Sequence, residues 1–436
     1  MKRILAFLST VLLAAAFQVQ AANWHVSISN GKNKNPGTPG APLKNIWKAI
    51  EKAKPGDMIL IAEGNYPGKM SCGWINLDKP VSLIGGYSPD FSARDVLKYR
   101  TMLRPTNAQN TTKPTHGTLT INTRKFGPNS NILIDGIIFD HTAANSYHPV
   151  KGKPAGFKDG MLTIPPAKGN TQYPSIDKYL IYAQTDGQLV IQNCLFLNGC
   201  SYAIIVAQYS GNVRILNNVF IGNRMMGADV RTTNGKPFTL NYEFANNTVL
   251  FTWTRTKAFE DMGYGVRTNP GIFTNIHHNI LGLNCMAGFD NTKGDAKQKK
   301  VKLDNNIFFL NKKADVAITI SPSIKFMKVE DDGFDDLEDV EGMESVSKNS
   351  GLKDPALFKD VIDTNYLKAF LEATCTEQVD YDENSPINQF RAALGLNKQG
   401  KITTTVSMFA NPYPFESAIR FFGVVKGFGA QTPTVP

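Results

Sequence analysis

The residues of this chain that could do chemistry gather between positions 229 and 291. Asp229, Arg231, Trp253, Arg255, Lys257, Glu260, Asp261, Arg267 and Asn291 supply cations, carboxylates, amide and indole there. Arg231 and Arg267 close two matching phrases, Gly227-Ala228-Asp229-Val230-Arg231 and Gly263-Tyr264-Gly265-Val266-Arg267, and Ala287-Gly288-Phe289-Asp290-Asn291 follows as a third. If these phrases stack as neighbouring strands, Val230 and Val266 point inward while Arg231 and Arg267 point outward, ~4.8 Å apart. Two guanidiniums at that spacing repel each other unless an anion lies across them. Asp229 and Asn291 fall on the same outer surface. The stretch from Thr252 to Met262 breaks the rhythm just before Gly263, which brings Trp253, Arg255, Lys257, Glu260 and Asp261 beside the patch.

Such a set suits β-elimination beside a uronate carboxylate. The proton next to a sugar carboxylate is barely acidic, so the charge that develops there must be neutralised by Arg or by a bound Ca²⁺. Arg231 and Arg267 fill that role. Lys257, crowded by arginines, has its amine freed to act as the base. Arg255, Trp253 and Asn291 would contact the sugar, and Asp229, Glu260 and Asp261 offer the oxygen ligands Ca²⁺ prefers. Two other readings stay open: a surface lattice of salt bridges, or a sugar-binding face without chemistry.

These residues must be positioned by a repeat. A phrase of alternating apolar residues, a polar pair and a large apolar residue recurs from about Gly187 to Thr319. It reads Leu189-Val190-Ile191-Gln192-Asn193-Cys194-Leu195-Phe196, then Val213-Arg214-Ile215-Leu216-Asn217-Asn218-Val219-Phe220, and returns at Asn246-Asn247, His278-Asn279 and Asn305-Asn306. Asn218, Asn247, Asn279 and Asn306 lie 29, 32 and 27 residues apart. Repeats of that length mean stacked units, and short period-two runs punctuated by Gly, Asn and Asp make the units coils of strands. Asn at the same corner of successive coils can bond its amide to the coils above and below, satisfying groups that would otherwise be buried unpaired. The expected fold is all-β, a right-handed parallel β-helix.

Composition bounds the rest. Lys2-Arg3, an apolar run from Ile4 to Phe17, and Val19-Gln20-Ala21 form a signal peptide over 1–21 with cleavage before Ala22. No later apolar run is long enough to span a bilayer, so the expected location is periplasmic or secreted. The chain is expected to be a monomer. Five scattered cysteines (Cys72, Cys194, Cys200, Cys285, Cys375) show no zinc spacing and read as buried thiols, with a single disulfide as the alternative. The net charge of +10 conceals a partition: residues 22–329 hold 36 Lys+Arg against 19 Asp+Glu, whereas residues 330–344 hold nine acids and no base. A long basic solenoid attracts an anionic partner; a basic surface kept for solubility is the plainer account. An export signal without a recognition motif argues against nucleic acid.

Ahead of the repeat, Leu43, Ile46, Trp47 and Ile50 share a helical face that would cover the open end of the coil. The run Pro42-Leu43-x-x-Ile46-x-x-Ala49-Ile50-x-x-Ala53-x-Pro55-Gly56-Asp57-x-Ile59-x-Ile61-x-x-Gly64-x-Tyr66, then Val81-Ser82-Leu83-Ile84-Gly85-Gly86-Tyr87, Asp90-Phe91 and Arg94, resembles the opening of secreted parallel β-helix proteins of the pectate-lyase-like superfamily. The resemblance covers roughly residues 23–320. It implies the fold but no single activity, because that superfamily holds lyases, hydrolases, epimerases, esterases and non-catalytic surface proteins. The Asp-Pro-His of alginate epimerases, the Asn-Thr-Asp, Gly-His-Gly and Arg-Ile-Lys of polygalacturonases, the Trp-Ile-Asp-His of pectate lyases and the Arg-His-Gly of alginate lyase and chondroitinase B are all missing.

The organisation expected is a β-helix with its cap over 22–320 and an acidic segment with a partly helical appendage over 321–436. Long loops between Asp140 and Asp186 would build a wall on one face. His141 and His148 lie near Asp140 as secondary candidates. One ring of the His277-His278 pair is expected to face inward. The acidic run from Glu330 to Glu344 is a solvated charge run, a loose Ca²⁺ site, or a flap folded over the basic face. The functional expectation is a protein that engages acidic polysaccharide, as a lyase or as a non-catalytic binding or adhesion protein of the cell envelope.

Overall fold

The computed structural model describes residues 21–69, 71, 73–105, 117–142, 157–158, 161–162, 179–233, 237–253, 262–372, 379–380, 382–398, 401–402, 408–409 and 412–434. The signal peptide, His148, Cys72, Cys375 and most of the 141–178 loops therefore lie outside the described residues.

The chain is a parallel β-helix. Among the described residues two stacks run its length, one of seventeen strands and one of nine, parallel throughout except where Ser323–Met327 folds back on Ala314–Ile320. A typical coil has a first strand such as Met226–Thr232, a second such as Leu240–Ala245, and a short third such as Thr248–Leu250. In two coils the first and second fuse into single strands, Tyr179–Gln192 and Ile204–Leu216, bent at Gly187 and Gly211. Both glycines take positive φ, and a Cβ on Gly211 would run into the Gly187 carbonyl below it.

The corner between second and third strands explains the polar pair. Its first member adopts the left-handed conformation, with φ of 53° at Asn193, 56° at Asn217, 53° at Asn246, 56° at His278 and 55° at Asn305. Asn tolerates that region better than most residues. Its second member forms the ladder. Asn218 Nδ2 donates to Asn247 Oδ1 at 3.0 Å, Asn247 to Asn279 at 3.2 Å, Asn279 to Asn306 at 2.9 Å and Asn306 to Asn349 at 3.0 Å. Each oxygen also accepts the backbone N–H of the Asn before it. Cys194, at the matching position, donates its N–H to Asn218 Oδ1 at 2.9 Å. A second amide ladder, Asn284 to Asn311 at 2.8 Å, turns the next corner.

Inside, like stacks on like. Phe139, Phe196, Phe220 and Phe244 form a column with ring centroids 5.1, 4.7 and 5.9 Å apart. The helix Ile46–Lys52 closes the N-terminal end with Ile46, Ala49 and Ile50 buried. Asp57 clasps that end, accepting from Ala22 N–H, Trp24 Nε1 and Lys54 N–H.

The coil continues past 320. Met343–Ser347 and Ser350–Gly351 add a further turn in parallel register on Lys300–Asp304 and Ile307–Phe309. The acidic run ahead of them is not a flap over the basic face. Phe334 and Leu337 are buried against the core and plug its C-terminal end, while the acids around them face solvent. The helices Thr364–Glu372, Pro386–Ala393 and Phe415–Ala418 belong to an appendage whose Tyr366, Phe370, Phe390 and Tyr413 pack on Leu197, Ile221, Leu250 and Phe251 outside the nine-stranded sheet.

Candidate functional site

The charged patch is assembled by the first strands of three successive coils, Met226–Thr232, Tyr264–Arg267 and Ala287–Asn291. The register differs from the one the matching phrases suggest. Arg267 pairs with Asp229 on one side and Asp290 on the other, and Val266 stacks on Ala228 and Phe289 instead of Val230. The slip is two residues, so inward and outward faces are preserved and the partners change. Arg231 and Arg267 are therefore not side by side. The outward column reads Asp229–Arg267–Asp290, alternating in sign, and Arg231 on Asp229 completes its neutralisation.

The geometry is close. Arg267 Nε lies 2.5 Å from Asp290 and its Nη1 lies 3.9 Å from Asp229. Arg231 donates to Asp229 Oδ2 from Nε at 3.1 Å and Nη2 at 2.6 Å, and Asn269 Nδ2 donates to Oδ1 at 2.7 Å. Thr292 donates its N–H and hydroxyl to Asp290 Oδ1. Asp229 and Asp290 have no exposed surface and Arg267 has 3%, so the expectation that Asp229 and Arg267 face solvent is corrected. Burial opposes the charge on Arg267, but Asp290 and Asp229 outweigh it and hold the guanidinium cationic. The hydrogen bonds to Asp229 do the same for Arg231. Lys299, which donates to the Asn291 carbonyl at 2.7 Å, is pushed down to about 8, mainly by burial.

Arg231 is the part of this lattice that reaches solvent, with 44% of its side chain exposed. Its guanidinium lies 6.0 Å from the Tyr202 ring. Tyr179 stacks on Tyr182 at 5.6 Å and leans on Tyr202 at 5.8 Å. Gln184 Nε2 donates to the Tyr182 hydroxyl at 2.7 Å. Tyr182 shares the outward column with Ile205 and Asp229, two coils away, or about 10 Å at the usual strand spacing. A strip of aromatic rings thus leads to a fixed guanidinium. Sequence reasoning missed the tyrosines, Asn269 and Asp290. The alternation of Tyr182 and Gln184 with buried Ile181 and Ala183 was the available signal.

Other expected site residues lie elsewhere. Trp253 does not contact solvent: it is 2% exposed, donates Nε1–H to the Tyr366 hydroxyl at 2.8 Å and meets Phe370 edge-on at 4.9 Å. It anchors the appendage. Asn291, expected on the outer surface, is 3% exposed, and its Nδ2 reaches Met343 Sδ at 3.2 Å. Arg255, Lys257, Glu260 and Asp261 fall outside the described residues. Asp229 does not fit a cation, because both its oxygens are taken by protein donors. Among the described residues, no group of three or more His, Cys, Asp or Glu could hold a metal ion.

The histidines are also accounted for. Neither His277 nor His278 faces inward. Both are half-buried, with Nδ1 atoms 2.9 Å apart, and Ile276 and Asn279 take the buried positions on either side. His141 is 1% exposed, 2.7 Å from the Thr118 hydroxyl and 3.2 Å from Cys200 Sγ. Asp140 is engaged by Arg104 at 2.7 Å. Cys194, Cys200 and Cys285 are buried thiols.

A family described as a protein of unknown function (DUF1565) matches residues 29–125, the N-terminal cap and first coils. No curated protein matches. Among solved structures the chain is similar to pectate lyase Pel9A, at 15% identity and TM-score 0.33 over 70% of this chain and 57% of that one. It is similar to XylC in complex with xylose, at 10% and 0.33 over 67% and 63%. It is also similar to a rhamnogalacturonan lyase, at 13% and 0.32 over 94% and 100%. The chain spans less than two thirds of the length of the first two. Likenesses this distant carry no inference about activity.

Proposed function

We propose that this is an exported, carbohydrate-active β-helix protein that takes an acidic polysaccharide across the flank carrying Arg231. One observation carries the reading: a half-exposed guanidinium, fixed by the buried carboxylate of Asp229, stands over the buried Tyr202 beside the half-buried Tyr179 and Tyr182 rings. Aromatic faces suit the apolar face of a sugar ring, and the fork of an arginine matches a carboxylate. Because Asp229 already orders Arg231, little side-chain freedom is lost on binding. The excess of Lys and Arg over residues 22–329 favours the same class of ligand.

The finer reading is β-elimination. A base removes the proton beside the uronate carboxylate, the electron pair forms a carbon–carbon double bond, and the glycosidic oxygen leaves and takes up a proton. In this reading Lys257 is the base, Arg231 and Arg255 neutralise the carboxylate, and Arg267 acts through Asp229 as a positioning residue. Glu260 and Asp261 remain as the Ca²⁺ ligands. The test is incubation with alginate, pectate and chondroitin, with and without Ca²⁺, following the ultraviolet absorbance of the new double bond. Growth of that absorbance, lost in Lys257→Ala and reduced in Arg231→Ala, supports elimination. Retention in polyanion gels with no absorbance on any substrate assigns the non-catalytic envelope protein. Neither binding nor absorbance overturns both.

A further inference from the structure

A second surface has the make-up of a saccharide site, at the N-terminal end and away from Arg231. It is a groove of about 700 Å³ between the Ile28–Asn33 loop, the start of helix Ile46–Lys52 and the turn around Gly68. Asn33, Asn45 and Asn65 present three amides to it, Trp47 forms a wall, and Lys44 and Lys69 stand at its rim. No carboxylate lines it among the described residues.

Three features set this groove apart from an ordinary surface crease. First, Asn45 occupies the N-cap of its helix but makes no cap hydrogen bond. An Asn there ordinarily accepts from the first turn; here the amide turns away and donates to Asn33 Oδ1 at 3.2 Å. Second, Asn65 Oδ1 is buried without a hydrogen-bond partner. A buried acceptor left unpaired is costly, and a turn of the Asn65 amide into the groove would let a ligand hydroxyl satisfy it. Third, the Trp47 indole is half-buried and stands between this groove and a neighbouring one of about 370 Å³ that also contains Lys69 and Trp74. Lys69 Nζ sits 5.7 Å from the Trp47 ring centre, so a cation and an aromatic wall are already paired.

We infer that this groove is a second binding site for an acidic saccharide. The amides of Asn33, Asn45 and Asn65 hold its hydroxyls, the Trp47 indole packs against a sugar ring, and Lys44 and Lys69 take its carboxylate. The choice of ligand class rests on the carbohydrate reading above; the groove itself does not depend on Arg231. Five strand-to-strand steps separate Gly64–Tyr66, which carries Asn65, from Thr248–Leu250 in the coil of Met226–Thr232, roughly 24 Å along the axis.

The test is titration of the full protein with oligogalacturonate, oligoalginate and a neutral malto-oligosaccharide, following tryptophan emission and Kd. The two uronates are expected to shift emission, with the shift lost in Trp47→Phe. Asn65→Ala and the double substitution Lys44→Ala/Lys69→Ala should each weaken binding at this site about tenfold, with unchanged melting confirming the fold. Arg231→Ala should leave the emission change intact. If Arg231→Ala has no effect on binding or cleavage, the reading of that flank fails while the Trp47 signal still decides this one. Emission unmoved by either uronate, or a Kd unchanged in Asn65→Ala and Lys44→Ala/Lys69→Ala, overturns the second site.

Discussion

Replacing Asn247 by Ala should be among the most damaging single changes in the chain, although it touches no proposed ligand. Asn247 is fully buried in the middle of the amide ladder. Its Oδ1 accepts the Asn218 N–H at 3.0 Å, and its Nδ2 donates to the Ile215 carbonyl at 2.8 Å. The substitution strands the Asn218 N–H where water cannot follow and takes one donor from the Ile215 carbonyl, which its pairing with Leu240–Ala245 also engages. The Asn218 side chain keeps the Ile191 carbonyl, and the Asn247 N–H keeps Asn279 Oδ1, so one orphaned group and one weakened acceptor are the cost. At about 1–3 kcal/mol for the first and about 1 kcal/mol for the second, the loss is roughly 2–4 kcal/mol, against a typical total of about 5–15 kcal/mol. The half-exposed end of the ladder is the control. Asn349 also accepts a backbone N–H and donates to the Leu303 carbonyl at 2.7 Å. Water can replace it, so Asn349→Ala should cost only about 1 kcal/mol. Urea unfolding followed by circular dichroism gives both values. Hydrogen exchange at the Asn218 amide reports the local opening separately, which matters because solenoids can unfold in parts. If Asn247→Ala costs no more than Asn349→Ala, the ladder does not hold the coils as argued.

The buried charge column makes a parallel claim: Arg267→Met should cost about 3–5 kcal/mol by stranding Asp229 and Asp290, whereas Arg231→Met, which leaves Asp229 its contacts with Arg267 and Asn269, should cost about 1–2 kcal/mol. Equal losses in thermal melts would contradict the assigned burial. Lys299 has a folded-state pKa depressed to about 8 from the ordinary lysine value of 10.5, so between those pH values the unfolded chain binds more protons and stability should rise with pH. The wild-type minus Lys299→Met difference isolates that rise, and a flat difference over the window would refute it. Cys194, Cys200 and Cys285 are buried, and burial pushes the Cys194 thiol up. Alkylation mapped by mass spectrometry should therefore leave all three unmodified until urea unfolds the chain.

The scaffold was largely legible because its corners repeat in sequence. The left-handed corner and the ladder position return once per coil and most often take Asn, so Asn217-Asn218, Asn246-Asn247 and Asn305-Asn306 announce themselves. Asn349 escaped notice because the antiparallel pairing of Ala314–Ile320 with Ser323–Met327 and the acidic plug stand between it and Asn306. The register of the charged strands was not legible. Val230-Arg231 and Val266-Arg267 look equivalent, yet no turn of fixed length ties them together. The charges favour the observed pairing, since Arg267 between Asp229 and Asp290 is attracted on both sides while two stacked arginines repel. The exposure of Trp253 was misjudged for a different reason. An aromatic at the root of a long loop reads as projecting, and only the appendage residues Tyr366 and Phe370, more than a hundred positions later, show what covers it.

Everything functional turns on whether the Arg231 flank meets an acidic polymer. Affinity electrophoresis through gels cast with pectate, alginate or chondroitin, run for wild type and Arg231→Ala at two salt concentrations, asks this directly. Strong retardation of the wild type by at least one polymer, weakened by salt and by Arg231→Ala, is the predicted result. Identical mobility of the two proteins in every gel would contradict it.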